Sequence, residues 1–269
     1  MRRRAALPYR DGLRALALIV FLVAPGPEGT ARADEKQLLV FEASSLKDAF
    51  AKLAQRLEKE HAGVKVVANA AGTQELRAQV EHGAAADVFA SADRKHMDAL
   101  AAEGLVASPR VFTCNEPVVV VRKGMTPAIQ SLADLPRAER IIVGTPEVPI
   151  GAYTLQILQK ATKSQGADFP GRVQAKIASR ELNVRQILAK VVLGEADAGI
   201  VYRSDAVAAA GKVQMVAIPP ESNVTAEYPI AVIKKAPSPA LARQWVDLVS
   251  SPAGAAILGE SGFIPCPKR

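Results

Sequence analysis

Four places in the chain share one arrangement: a strand-like run or turn, one or two small or hydroxyl residues, then a helical pattern. They are Ser44-Ser45 before Leu46, Gly72-Thr73 before Gln74, Pro149-Ile150-Gly151 before Ala152, and Asn183-Val184 opening a further helix. The first turn of a helix carries backbone N–H groups without partners and sits at the positive end of the helix dipole. A capping side chain or a bound anion satisfies such a turn. Singly, each of the four reads as a cap, and Ser45-Leu46-Lys47-Asp48 has the form of a capping sequence with a carboxylate at the third helical position. Together, at strand tips where α/β folds hold ligands, they read as neutral donors converging on an anion.

Other chemistries lack their parts. A serine hydrolase needs a base, yet the histidines His61, His82 and His96 all fall in polar, charged helical segments, none at a strand end. The Ser44-Ser45-Leu46 context also lacks the GxSxG elbow. A metal receptor needs clustered Tyr, His or carboxylate ligands. Tyr153, Tyr202 and Tyr228 form no adjacent pair, and no CxxC occurs. A receptor for another anion, sulfate, phosphate or a small organic anion, stays open; an organic acid would call for an arginine in the cleft, and Arg185 and Arg203 flank candidate positions.

The elements that must position these residues alternate. Strand-like runs cover 38–43, 64–70, 87–91, 117–122, 140–145, 198–203, 213–219 and 228–235, with helical periodicity over 46–61, 74–83, 94–104, 153–164, 184–196 and 241–251. Such alternation, with near-continuous apolar strands, predicts an α/β fold: two lobes, each a mostly parallel sheet flanked by helices, joined by two crossing strands. The expected boundaries are 34–115 with 231–269 for the first lobe and 116–230 for the second. Two crossings permit hinge closure around a ligand.

The first 33 residues read as a secretory signal peptide. A basic start (Arg2, Arg3, Arg4, Arg10, Arg14) leads into an apolar run from Leu13 to Ala24, and Ala31-Arg32-Ala33 supplies a small-residue cleavage site before Asp34. Removing six of the 34 basic and two of the 27 acidic residues leaves 28 and 25, a net of +3 against +7 for the whole chain. With 4% aromatic residues and no dense basic cluster, nucleic-acid binding is disfavoured. Cys114 and Cys266 would share an oxidising compartment, and the sequence leaves a disulfide and two lone thiols equally open.

The pieces "FEASSLKDAF", "GTQELRAQVEHGAAADVFASADRKHMDAL", "VGTPEVPIGAYTLQIL", "ELNVRQIL", "GEADAGIVYRSDA" and "AEYPIAVI" occur in an order that resembles the periplasmic molybdate-binding proteins of ABC importers. These have the type II periplasmic-binding-protein fold, and the resemblance covers residues 38–264. It implies that a dehydrated oxyanion sits between the lobes, held by neutral donors alone. Carried over by position, the donors are the hydroxyl and N–H of Ser45, the hydroxyl of Thr73 (a threonine where many relatives have serine), the backbone N–H groups of Ile150 and Val184, and the phenol of Tyr202. Ser44 would orient the turn. Glu42 departs from the family's small residue and is expected to point away from the anion or to pair with a cation.

The resemblance further implies an extracytoplasmic, periplasmic monomer that is no enzyme and uses no cofactor. It would capture molybdate, and also tungstate, as the inorganic oxyanion and deliver it to a membrane permease.

Overall fold

Two five-stranded sheets organise the protein. The computed structural model describes residues 36–124 and 129–267, so the expected signal peptide lies outside the described residues. The first sheet has strand order β2-β1-β3-β10-β4: β1 is Lys36–Ala43, β2 Val64–Ala71, β3 Val88–Ala90, β4 Val106–Asn115 and β10 Ala226–Ile233. The second runs β7-β6-β8-β5-β9, with β5 Pro117–Arg122, β6 Ile141–Gly144, β7 Ile177–Glu181, β8 Ala198–Tyr202 and β9 Val213–Ala217. Among the described residues, no helix is long and apolar enough to cross a membrane.

The helices are α1 (Lys47–Glu60), α2 (Thr73–Glu81), α3 (Arg94–Ala102), α4 (Pro149–Gln165), α5 (Phe169–Gln174), α6 (Val184–Val192), α7 (Arg203–Ala208), α8 (Pro239–Val249) and α9 (Pro252–Glu260). Each long helix buries one stripe. In α1 the buried residues are Ala49, Phe50, Leu53 and Leu57, at the three-to-four spacing that turns one face to a sheet. In α6 they are Val184, Ile187, Leu188 and Val191. Strand β5, an unbroken valine run, is buried because it lies between β8 and β9.

The sheets are mixed rather than mostly parallel. In the first, β1 runs parallel to β2 and β3, but β10 pairs antiparallel with both β3 and β4. In the second, β6 is parallel to β7 and β8, but β5 pairs antiparallel with β8 and β9. The antiparallel strands are those next to the lobe crossings: β4 leads through Glu116 into β5, and β9 returns to β10. The return comes earlier than the expected boundary at 230/231, because β10 starts at Ala226 and pairs along its length with the first sheet. Helix α8 packs on β10, and α8 and α9 both meet α1.

Cys114 near the end of β4 is bonded to Cys266, and Cys114 also exchanges backbone hydrogen bonds of 3.0 and 2.9 Å with Ile264. The bond closes a loop of 152 residues, so it removes much freedom from the unfolded chain. Replacing both cysteines by alanine is expected to cost about 2–4 kcal/mol. Urea unfolding of the oxidised protein and the double variant would measure this; coincident midpoints would contradict it.

Candidate anion site

Each parallel strand tip feeds a helix start, and four starts meet. After β1 the chain enters a tight 3-10 turn, Ser44–Leu46, closed by the Lys47 N–H bonding to the Ser44 carbonyl. Neither serine caps the helix, contrary to the capping form of the sequence. The Ser45 Oγ instead lies 2.8 Å from the Tyr228 Oη, both groups buried, and the Asp48 carboxylate turns to Arg185.

At α2, the Glu75 carboxylate accepts from the Gly72 N–H at 3.0 Å, and the N–H groups of Glu75 and Leu76 both reach the Gly72 carbonyl. The N–H groups of Thr73 and Gln74 are therefore the open donors of this turn. The Thr73 Oγ1 accepts from the Ala92 N–H at 3.2 Å. That bond leaves the hydroxyl's own hydrogen free to be donated.

The second lobe contributes backbone. In α4, Pro149 occupies the first position and the Ala152 N–H bonds to the Val148 carbonyl at 3.0 Å, so the N–H groups of Ile150 and Gly151 remain open. In α6, the Asn183 side chain caps the Gln186 N–H at 3.1 Å, leaving those of Val184 and Arg185. Tyr202 ends β8 with 1% of its surface exposed, and its hydroxyl has no hydrogen-bond partner among the described residues. Burial holds its pKa well above the ordinary tyrosine value, so it keeps its proton and can donate.

Ser45, Thr73, Ile150, Val184 and Tyr202 all line one small cavity, as does Ser44. The space is about 10 Å³ when traced by the centre of a water-sized sphere, far below the roughly 300–1,000 Å³ of organic-ligand pockets. Among the described residues, no Lys, Arg, His, Asp or Glu lines it. The cavity is neutral and rich in donors.

Nearby charges are turned elsewhere. Arg185, beside Val184, reaches Asp48 of the first lobe at 2.6 Å and approaches Asp205 of its own lobe at 2.8 Å. Asp205 in turn accepts from the Tyr202 N–H at 3.2 Å. Arg203 lies 3.6 Å from Glu116. Glu42 faces a separate groove shared with Lys47, Glu58, Lys65 and Trp245. It is 1% exposed, and burial pushes its carboxyl up to about 8, with Lys47 opposing. At neutral pH it is the uncharged acid, so no carboxylate charge stands behind the first-lobe turn.

The lobes also touch directly. Gln74 donates to the Leu182 carbonyl at 2.8 Å, and the His96 Nε2 lies 3.1 Å from the Glu147 carbonyl. His96 is thus buried between lobes, not the surface residue its polar segment suggested. Sequence reasoning missed it and Tyr228. A tyrosine inside an apolar strand looks like core, and nothing local marks its hydroxyl as the partner of Ser45.

A family model described as bacterial extracellular solute-binding protein matches residues 38–264. The chain is 40% identical to the molybdate-binding protein ModA of Mycobacterium tuberculosis over 260 residues, covering 94% of this chain and 96% of that one. Among solved structures, the periplasmic molybdate-binding protein of Azotobacter vinelandii matches with a TM-score of 0.75 at 22% identity, covering 87% of this chain and 100% of that one. The sulfate-binding protein SubI of Mycobacterium tuberculosis matches with 0.75 at 21%, covering 86% and 87%. At those identities the two structures speak for the fold alone.

Proposed function

The chain belongs to the bacterial extracellular solute-binding proteins, and from that membership we propose that it captures molybdate between its lobes and delivers it to the permease of an ABC importer. The family works outside the cytoplasm by binding, not by catalysis. On this reading the protein acts in the periplasm as a monomer, takes tungstate as well, and holds the anion through Ser45, Thr73, Ile150, Val184 and Tyr202. The near full-length similarity to ModA supports the choice of anion.

One observation carries the proposal: a neutral cavity whose polar groups are donors from both lobes, including a buried phenol without a partner among the described residues. Hydrogen bonds to a charged group contribute about 1.5–3 kcal/mol each. Five to seven of them, less the cost of dehydrating the ion and closing the lobes, leave about −8 to −11 kcal/mol, or about micromolar to 10 nanomolar. The ligand brings the charge and the protein brings oriented dipoles. A protonated phosphate would find no acceptor for its proton. An organic acid would want the guanidinium of Arg185, which Asp48 and Asp205 already hold. Sulfate on the same fold is the competing reading, and it differs in ion size.

Titration calorimetry with molybdate, tungstate, sulfate and phosphate tests this. Molybdate and tungstate are expected to bind most tightly, and Tyr202→Phe to weaken them about 10- to 100-fold, the worth of one charge-assisted hydrogen bond. Tight binding of sulfate but not molybdate would overturn the assignment. Undiminished affinity in Tyr202→Phe combined with Ser45→Ala would overturn the site.

A further inference from the structure

We propose that His96 and Gln74 of the first lobe are positioning residues that form a two-point latch. Each donates to a carbonyl just ahead of one of the second lobe's two anion-facing helix starts, and together they set how slowly a captured anion leaves. The latch rests on the anion reading above and goes beyond it, since neither side chain lines the cavity.

The two contacts mirror one another. His96, in the first turn of α3, is 3% exposed, and its own N–H is tied to the Asp93 carboxylate at 3.0 Å. Its Nε2 lies 3.1 Å from the carbonyl oxygen of Glu147, two residues before α4. A carbonyl only accepts, so Nε2 carries the hydrogen. The second oxygen of Asp93, at 3.8 Å from the ring, is beyond hydrogen-bond reach, and the buried Nδ1 has no hydrogen-bond partner among the described residues. The ring's hydrogen bonding is thus directed at the other lobe. Gln74, the second residue of α2, crosses in the same way: its Nε2 donates at 2.8 Å to the carbonyl of Leu182, two residues before α6. Both acceptors belong to the residue immediately ahead of a helix cap, Val148 in one case and Asn183 in the other.

A carbonyl oxygen there is the negative end of a dipole, and it would repel an anion it faced. Neither Glu147 nor Leu182 lines the cavity, whereas Ile150 and Val184, farther along each turn, do. Because the peptide unit is planar, holding its oxygen also holds the N–H that follows. The Glu147–Val148 unit is gripped from both sides: His96 takes the oxygen, and the Val148 N–H bonds to the Thr145 carbonyl at 3.1 Å. At α6, the Leu182 N–H is tied to the Gln186 side chain at 3.1 Å while Gln74 holds the oxygen. Parting the lobes gives up both crossing bonds, so they oppose release. They form only once the lobes meet, so they do not hasten entry. The Arg185–Asp48 pair also crosses, but the Asp48 side chain is half-exposed, and such pairs hold little.

His96→Phe keeps a ring and deletes the donor, and Gln74→Met keeps the length and deletes the amide. Release of radiolabelled molybdate, chased with unlabelled molybdate, is expected to quicken about 3- to 10-fold in each, the worth of one neutral hydrogen bond. On separate turns, the two effects should multiply in the double variant. Calorimetric affinities should fall by the same factors, leaving the association rate within about 2-fold, a split that general loss of stability would not produce. His96→Gln places a donor as many bonds from the backbone as Nε2 and should restore slow release. An unchanged release rate in either deletion, a loss carried by association instead, or release as fast in His96→Gln as in His96→Phe would overturn the latch.

Should His96→Phe fail to fold, the half-buried Gln74 decides alone through Gln74→Met by the same reading. If the wild-type protein takes sulfate in place of molybdate, the function proposed above fails, and the same rates measured with labelled sulfate still decide the latch. A wild-type protein that binds neither anion overturns both.

Discussion

Gly72→Ala is expected to weaken anion capture about 100-fold or more while lowering stability by no more than about 1 kcal/mol, the usual cost of alanine at a helix cap. The two effects separate because the obstruction lies between lobes. A methyl group on Gly72 would stand 2.3 Å from the Leu182 carbonyl oxygen of the second lobe, where ordinary contact begins near 3.4 Å. The backbone of Gly72, at φ −62°, suits alanine, and the own-lobe atoms the methyl would meet, the Gln74 amide at 2.5 and 2.7 Å, are the far end of a side chain that can swing aside. What fails is closure.

Relieving the overlap means moving the lobes apart by about an ångström, because the opposing atom is backbone. That motion stretches the Gln74–Leu182 bond, the Arg185–Asp48 pair and the donors of one lobe relative to the anion. Losing the alignment of two charge-assisted bonds, at about 1.5–3 kcal/mol each, amounts to at least two orders of magnitude. Calorimetric titration beside a thermal melt checks both halves. Undiminished affinity would mean that the lobes close by another path.

The second large effect is in stability. Glu42 is charged in the unfolded chain above pH 4.5 but stays protonated in the folded protein until about pH 8. Between those values the folded state holds one proton more, so stability falls as pH rises, by about 1.4 kcal/mol per unit. Asp205, raised to about 6 by burial against the pull of Arg185, acts in the same direction but lower in the range. Burial also raises Asp93, so it is the comparison of wild type with Glu42→Gln that isolates Glu42, whose own contribution should fall by about 2–3 kcal/mol from pH 6 to 8. The charges facing Glu42 are Lys47, Asp48 and Glu58 of α1, Lys65 of β2 and Arg185 of α6. Urea unfolding at pH 6, 7 and 8 should show a midpoint that falls more steeply for wild type than for Glu42→Gln. Parallel slopes would place the proton elsewhere.

Much of this architecture could be read from the chain. Strand β5 was legible at both ends because a valine run bounded by proline and a charged turn has few other homes. Helix starts at 74, one residue after the observed Thr73, and at 184 were visible as small or capping residues ahead of apolar periodicity. Strand β7 was not, since Ile177–Glu181 is a polar edge strand, half-exposed along its length, with no apolar run. Helix α5, six residues opening on Phe169-Pro170, is too short for periodicity to reveal.

At the site, Ser45, Thr73, Ile150, Val184 and Tyr202 were named from helix-start logic and family resemblance, and the fold brings all five to one cavity. What stayed hidden depends on three-dimensional neighbours. Glu42 could be expected to avoid the anion, but its neutral state follows from burial that no local pattern announces. The partnership of Tyr228 with Ser45 spans 183 residues. The disulfide was open on sequence because two cysteines carry no distance between them.

On the proposed reading, the second lobe would meet the anion at Ile150 and Val184 through main-chain amides at helix starts. A property carried by the path of the backbone is indifferent to which apolar side chain hangs from it. Drift among valine, isoleucine and leucine at these two positions would leave the donors untouched, and inspection of residue identities there would say nothing about the ligand. Proline is the exception, since it alone deletes the amide hydrogen. At these two positions, unlike at Tyr202, such recognition would be inherited with the fold's geometry more than with its alphabet.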